Sequence, residues 1–186
     1  MRPVQRSEIL DFVTYTEQRE ALRTEALAVK RPRRLHVGPY LTFLFENRTT
    51  VRYQVQEMMR VEHMVREADI QHELTTYNGL LGGPGELGCT LLIEIDDAAV
   101  RDEKLTAWLG LNGSLYLELA DGTRVRPTWD ALQVGETRLS SVQYLKFPVG
   151  GQVPVAAGCD FPAEDVRGRL VLDPQQAAAL AADLTD

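Results

Sequence analysis

Phe45-Glu46-Asn47-Arg48-Thr49-Thr50-Val51-Arg52-Tyr53-Gln54-Val55-Gln56-Glu57-Met58-Met59-Arg60 opens a stretch that reads as one long helix running to Tyr77. Val51, Val55, Met58, Glu62, Val65, Asp69 and His72 follow one another by steps of four and three, the spacing that keeps side chains on one helix face. The apolar stripe so defined is interrupted by two acids and a histidine. Three metal-ligating side chains are therefore expected among core residues.

Outward from this helix, the chain before it divides into helix and hairpin. Ser7 reads as the cap of a first helix through Ile9, Leu10, Phe12 and Val13, and Thr16 to Lys30 is rich in Glu, Ala, Leu and Arg, all good helix formers. Pro32 ends that stretch. Arg33-Arg34-Leu35-His36-Val37 and Tyr40 to Phe45 alternate on either side of Gly38-Pro39, which predicts strand, turn and strand, with Asn47 or Thr49 as the cap of the long helix.

After the helix, Gly82-Gly83-Pro84-Gly85 marks a connection between a helix-rich part (1–80) and a strand-rich part (81–186) of one domain. The glycines lack the Lys-Ser/Thr ending of a phosphate-binding P-loop and lead into a strand, so they read as a turn. Cys89–Ile95 predicts a strand, and Asp96-Asp97 to Leu109 a short helix. Leu115–Leu119 and Thr123–Arg126 flank a hairpin signal at Ala120-Asp121-Gly122. Val142–Phe147 and Val166–Leu172 predict further strands. Asp173-Pro174-Gln175-Gln176 then supplies an N-cap, a proline at the first helical position and a glutamine three after the cap. The expected class is α+β: a mostly antiparallel sheet of about five to seven strands, packed with one long central helix, N-terminal helices and a short C-terminal helix.

Composition bounds what such a domain does. With 186 residues, 44% apolar, it can bury one sizeable core. No segment approaches the run of about 20 apolar residues needed to span a bilayer, and no signal-peptide pattern follows Met1, so a cytoplasmic location is expected. The net charge is -7, with 12 Lys/Arg against 11 Asp/Glu before residue 81 and 8 against 16 after it. A chain this acidic lacks the broad positive field of a nucleic-acid binder. Cys89 and Cys159 fit neither a CxxC pair nor a zinc spacing and read as two unpaired thiols.

Two constellations stand out. Glu62, Asp69 and His72 offer oxygen and imidazole ligands from successive turns, the geometry used by metal sites in helical bundles, with iron, manganese or zinc as the ions such ligands take. Arg33 and Arg34 at a strand entry, with Arg48 and Arg52 in the first turns of the long helix, form a cluster suited to a phosphate or carboxylate. Against it stands pairing of Arg48 and Arg52 with Glu46 and the acids of the second half, joining helix to sheet through bidentate pairs. His63 and Glu67 share a polar face and read as a solvated pair. No G-x-S-x-G elbow occurs and neither cysteine has a neighbouring histidine, so nucleophilic catalysis has no support.

Arg33-Arg34-Leu35-His36-Val37-Gly38, the Phe45–Arg60 run, Thr90-Leu91-Leu92-Ile93-Glu94-Ile95 and Val142-Gln143-Tyr144-Leu145-Lys146-Phe147-Pro148 together resemble an uncharacterised bacterial family classed as a domain of unknown function. The resemblance spans nearly the whole chain and assigns no catalytic residue. It implies a setting beside rubrerythrin-type di-iron proteins and iron–sulfur oxidoreductases, and hence redox or oxidative-stress physiology with such a protein as partner. The expected role is a non-catalytic accessory or binding protein using the surface between the long helix and the arginine-bearing strands. The alternatives are a metal-dependent oxidoreductase at Glu62, Asp69 and His72, and an anion or nucleotide binder at the arginines. Met58, Met59 and Met64 read first as core filling, the commoner use of Met on a helix stripe, with an adaptable contact surface for a homodimer as the other reading.

Overall fold

The computed structural model describes residues 1–185. Its class is α+β, as the patterning predicts, with five α-helices and eight strands in two antiparallel four-stranded sheets. The strands are β1 (Arg34–Val37), β2 (Leu41–Phe45), β3 (Leu87–Ile93), β4 (Leu115–Glu118), β5 (Arg124–Val125), β6 (Val142–Phe147), β7 (Ala156–Cys159) and β8 (Gly168–Val171). The helices are α1 (Phe12–Lys30), α2 (Arg48–Val61), α3 (Glu67–Asn78), α4 (Ala98–Ala107) and α5 (Pro174–Thr185).

The first sheet runs β1-β2-β3-β6 and the second β5-β4-β7-β8. Alternation decides which side chains meet. Leu35, Val37, Phe43, Phe45, Leu91, Leu145 and Phe147 of the first sheet share one buried core with Leu115, Leu117, Ala157 and Cys159 of the second. Trp108 and Leu111 beyond α4, and Leu180 of α5, complete that core. A second, smaller core joins the N-terminal segment to α2 and α3 through Val4, Ile9, Val51, Val55, Met59, Ile70 and Leu74. The eight strands exceed the expected five to seven because β7, Ala-Ala-Gly-Cys, carries no alternation to betray it: all four residues are buried.

Two glycines are required by close approach. A Cβ on Gly88 would lie 1.9 Å from the Leu80 carbonyl oxygen, a backbone atom that cannot swing away. A Cβ on Gly158 would lie 2.3 Å from the ring of Tyr116, its cross-strand partner, over which the Arg124 guanidinium stacks at 4.3 Å. The outer edge of β6 is blunted rather than left bare. Thr128 bridges Lys146, and the Gln133 amide donates to the Tyr144 carbonyl at 2.8 Å and accepts from its N–H at 2.7 Å.

The single long helix expected over Phe45–Tyr77 is instead two helices. α2 ends at Val61, and His63 adopts a left-handed φ of 51°. The Met64 N–H then reaches back to the Met59 carbonyl at 2.9 Å, the 6→1 bond of a Schellman stop. At the N-terminus, Ser7 does not cap a helix: Arg6–Glu8 is a 3₁₀ turn, and Asp11 caps a single helix that unites the two expected stretches. Asn47 is the cap of α2, and Asp173 with Gln176 forms the capping box expected for α5.

Candidate functional site

The turn at His63 separates the proposed metal ligands. Glu62 is the C-terminal cap of α2, whereas Asp69 and His72 lie on α3, and all three are exposed. The heptad-like spacing that placed them on one face presupposed an unbroken helix. Among the described residues no group of three or more His, Cys, Asp or Glu side chains is placed to hold a metal ion. His63 packs against Phe12 with ring centroids 5.8 Å apart, and Glu67 pairs with Arg6 at 2.9 Å, so these two do not pair with each other.

The arginine cluster also divides. Arg33 is buried and holds Asp183 of α5 in a bidentate pair at 2.7 and 2.8 Å. Arg48 pairs with Glu8, and Arg52 with Glu25 at 3.4 Å, so their partners come from the N-terminal segment and α1 rather than from the acidic second half. Arg34 remains, exposed, with no carboxylate within 4.0 Å among the described residues.

Around Arg34 a different constellation forms. Lys30 ends α1, Arg31–Arg33 is a 3₁₀ turn, and β1 begins at Arg34, whose alternation places Arg34 and His36 on the outer face of the first sheet. Leu27, Lys30, Arg31, Arg34 and His36 line a hollow of 370 Å³. Lys30 and Arg34 also line an adjoining cleft of 270 Å³ between that outer face and the α2–α3 pair. Its walls are Leu44, Thr90, Leu92, Val142 and Tyr144 from the strands, and Val51, Gln54, Tyr77 and Leu80 from the helices and the loop that follows.

The cleft's polar groups are set by their neighbours. Glu46, 8% exposed, accepts from the Thr50 hydroxyl on one oxygen and from the Thr90 hydroxyl at 2.7 Å on the other. Burial lowers the pKa of the Lys30 ammonium; Glu46 pulls it back up, and Arg34 lowers it further. Lys30 Nζ also stands 5.3 Å over the Tyr53 ring.

On the same outer face, the Thr42 hydroxyl donates to Glu94 and contacts His36 Nδ1 at 2.8 Å. A hydroxyl has one proton, and Glu94 takes it. His36 must therefore donate from Nδ1.

Neither Lys30 nor Glu46 was legible as a site residue, because helix end, strand and following helix meet only in three dimensions. The available signal was the period of β1, which puts Arg34 and His36 together and Arg33 away from them. The two cysteines are both buried, and burial raises both thiols above their ordinary range. No helix among the described residues is long and apolar enough to cross a membrane.

The comparisons with known proteins agree with this architecture. A crystal structure of a novel protein of unknown function from Burkholderia pseudomallei superposes with a TM-score of 0.89 at 29% identity, covering 98% of this chain and 100% of that one. No curated protein matches the sequence. The family described as protein of unknown function (DUF3501) matches residues 3–184, and the chain belongs to that family.

Proposed function

We propose that this chain is a binding protein for a small organic anion, taken up where α1, β1 and the α2–α3 pair meet. One observation carries the reading: Lys30 and Arg34 line two adjoining hollows, Arg31 lines one of them, and none of the three has an ion-pair partner among the described residues. Arg33, Arg48 and Arg52, by contrast, are each held by an acid. Of the unpaired cations Arg31 and Arg34 are exposed and Lys30 is half-buried; Lys30 gains most from an anionic ligand, because charge-assisted hydrogen bonds strengthen as solvent is excluded.

The cleft also sets the ligand's orientation. Buried Glu46 repels a second negative charge, so a phosphate or carboxylate docks at the Lys30–Arg34 mouth. The apolar body lies along Leu44, Leu92 and Val142, between the rings of Tyr77 and Tyr144. In the redox setting that the family resemblance implies, the part this reading gives the chain is to bind rather than to exchange thiols, since neither cysteine presents a thiolate.

Calorimetric titration with phenyl phosphate at low salt tests the proposal. The wild type should bind, and Arg34→Ala and Lys30→Met should each weaken binding about tenfold, the value of one charge-assisted hydrogen bond. Arg48→Ala, whose guanidinium is committed to Glu8, should leave it unchanged. No binding by the wild type, or equal binding by all four proteins, would sink the idea.

A further inference from the structure

The cleft that holds Lys30 and Arg34 is walled by Leu80 and Tyr144, and the same two residues wall a neighbouring hollow of 320 Å³. Trp129, Asp130, Gln133 and Lys146 line that hollow as well. Trp129, 38% exposed, and Tyr144, 46%, are the two most exposed aromatic side chains among the described residues.

Backbone pairing builds this second hollow. Thr128 and Lys146 exchange N–H···O bonds of 2.7 and 2.9 Å, and the Gln133 side chain engages both backbone polar groups of Tyr144. The segment that carries Trp129 is thereby held against β6 at two points. Burial alternates along β6, with Gln143, Leu145 and Phe147 inward, so Tyr144 and Lys146 share the sheet's outer face with Arg34.

Register sets the length of the path between the charges. Arg34 pairs with Leu44, Leu44 with Thr90 and Thr90 with Tyr144, one row across the sheet. Three strand spacings, about 14 Å, separate Arg34 from Tyr144, and Lys146 lies two residues, about 7 Å, further along β6. Lys146 is half-buried, and no carboxylate lies within 4.0 Å of its ammonium among the described residues. Asp130, in the same hollow, is exposed and caps its own 3₁₀ turn, its Oδ1 accepting from the Leu132 N–H at 2.9 Å.

We infer that the ligand of this site is an elongated aromatic dianion, with one anionic group at the Lys30–Arg34 mouth and the other at Lys146. The inference rests on the anion site proposed above and names its substrate class. Buried Glu46 disfavours a negative charge midway, so the two charges belong at the ends. The far ring packs against Tyr144 and Trp129. A single-ring anion occupies the first cleft alone.

Calorimetric titration of the full chain at low salt with biphenyl-4,4′-dicarboxylate and with biphenyl-4-carboxylate tests this. The dicarboxylate should bind about tenfold tighter, the value of one charge-assisted hydrogen bond. Lys146→Met should erase that preference by weakening the dicarboxylate alone, whereas Arg34→Ala should weaken both ligands. Trp129→Ala should weaken the dicarboxylate about 2- to 10-fold, the usual range of an aromatic pair. Equal affinity of the wild type for the two ligands, or a preference that survives in Lys146→Met, would overturn the inference. Phenyl phosphate separates the two readings: if it binds and the biphenyl ligands fail, the elongated ligand falls and the anion site stands, and if it does not bind, both fall.

Discussion

Glu57 shows how much a single side chain decides in this molecule. It faces α1 from α2, accepting from the Tyr15 hydroxyl at 2.7 Å, from Arg19 at 2.8 and 3.0 Å, and from Arg60 of its own helix. Burial alone would raise its pKa, but the hydrogen bonds of Arg19, Tyr15 and Arg60 outweigh burial and hold it at about 2. A carboxyl depressed in the folded state stabilises above its unfolded pKa and loses that stabilisation as pH falls through the folded one. The contribution of Glu57 should therefore be complete above about pH 5, amount to about 2–3 kcal/mol, and fade between pH 5 and 2. Urea denaturation of wild type and Glu57→Gln across that range measures it. The stability gap between them should narrow as pH falls, and a constant gap would show that Glu57 is not ionised against Arg19. At this scale the sequence was only half legible: residue types were visible, but spacing along α2 says nothing of which acid Arg48 or Arg52 will meet on another element.

At the scale of elements, local chemistry was read well wherever the signal itself is local. Asp173-Pro174-Gln175-Gln176 starts α5 because cap, proline and glutamine act within one turn, and Gly38-Pro39 bends β1 into β2. The break between α2 and α3 has no such signal. Arg60-Val61-Glu62-His63-Met64-Val65-Arg66 contains neither glycine nor proline. The stop is set by tertiary packing: the left-handed His63 turns the chain so that Met64 joins Met59, Ile70 and Leu74 in the smaller core. The sign of two substitutions distinguishes this from a continuous helix. His63→Gly should stabilise by roughly 0.5–1 kcal/mol, since glycine adopts the left-handed turn at no steric cost, less the loss of the Phe12 contact. His63→Ala should not stabilise, although alanine is the better helix former. Urea midpoints of the two variants decide, and the reverse order would restore the single helix.

For the whole molecule, the ion pair of Arg33 with Asp183 fastens the last helix to the turn before the first strand. Both side chains are buried, and Arg33 donates further to the carbonyls of Val29 and Ala179. Removing one partner strands a charge away from water, so Asp183→Ala should cost about 3–5 kcal/mol. Replacing both by apolar residues, as in Arg33→Met with Asp183→Leu, should recover most of that loss. Denaturant midpoints of the single and double variants test this. A double variant as unstable as the single one would mean that Arg33 matters through its carbonyl contacts instead.

The sequence by itself determined what depends on neighbours along the chain: the α+β class, most strands, the caps of α2 and α5, and the absence of an apolar stretch long enough to span a bilayer. Only the tertiary structure decided what depends on residues far apart in sequence. It split the long helix, dispersed Glu62, Asp69 and His72 over an exposed surface, and committed three of the four arginines to acids. It also brought Lys30, Arg34 and Glu46 together at one cleft. The physical reason is range: periodicity and capping act over a few residues, whereas burial and charge pairing are settled only when distant elements pack.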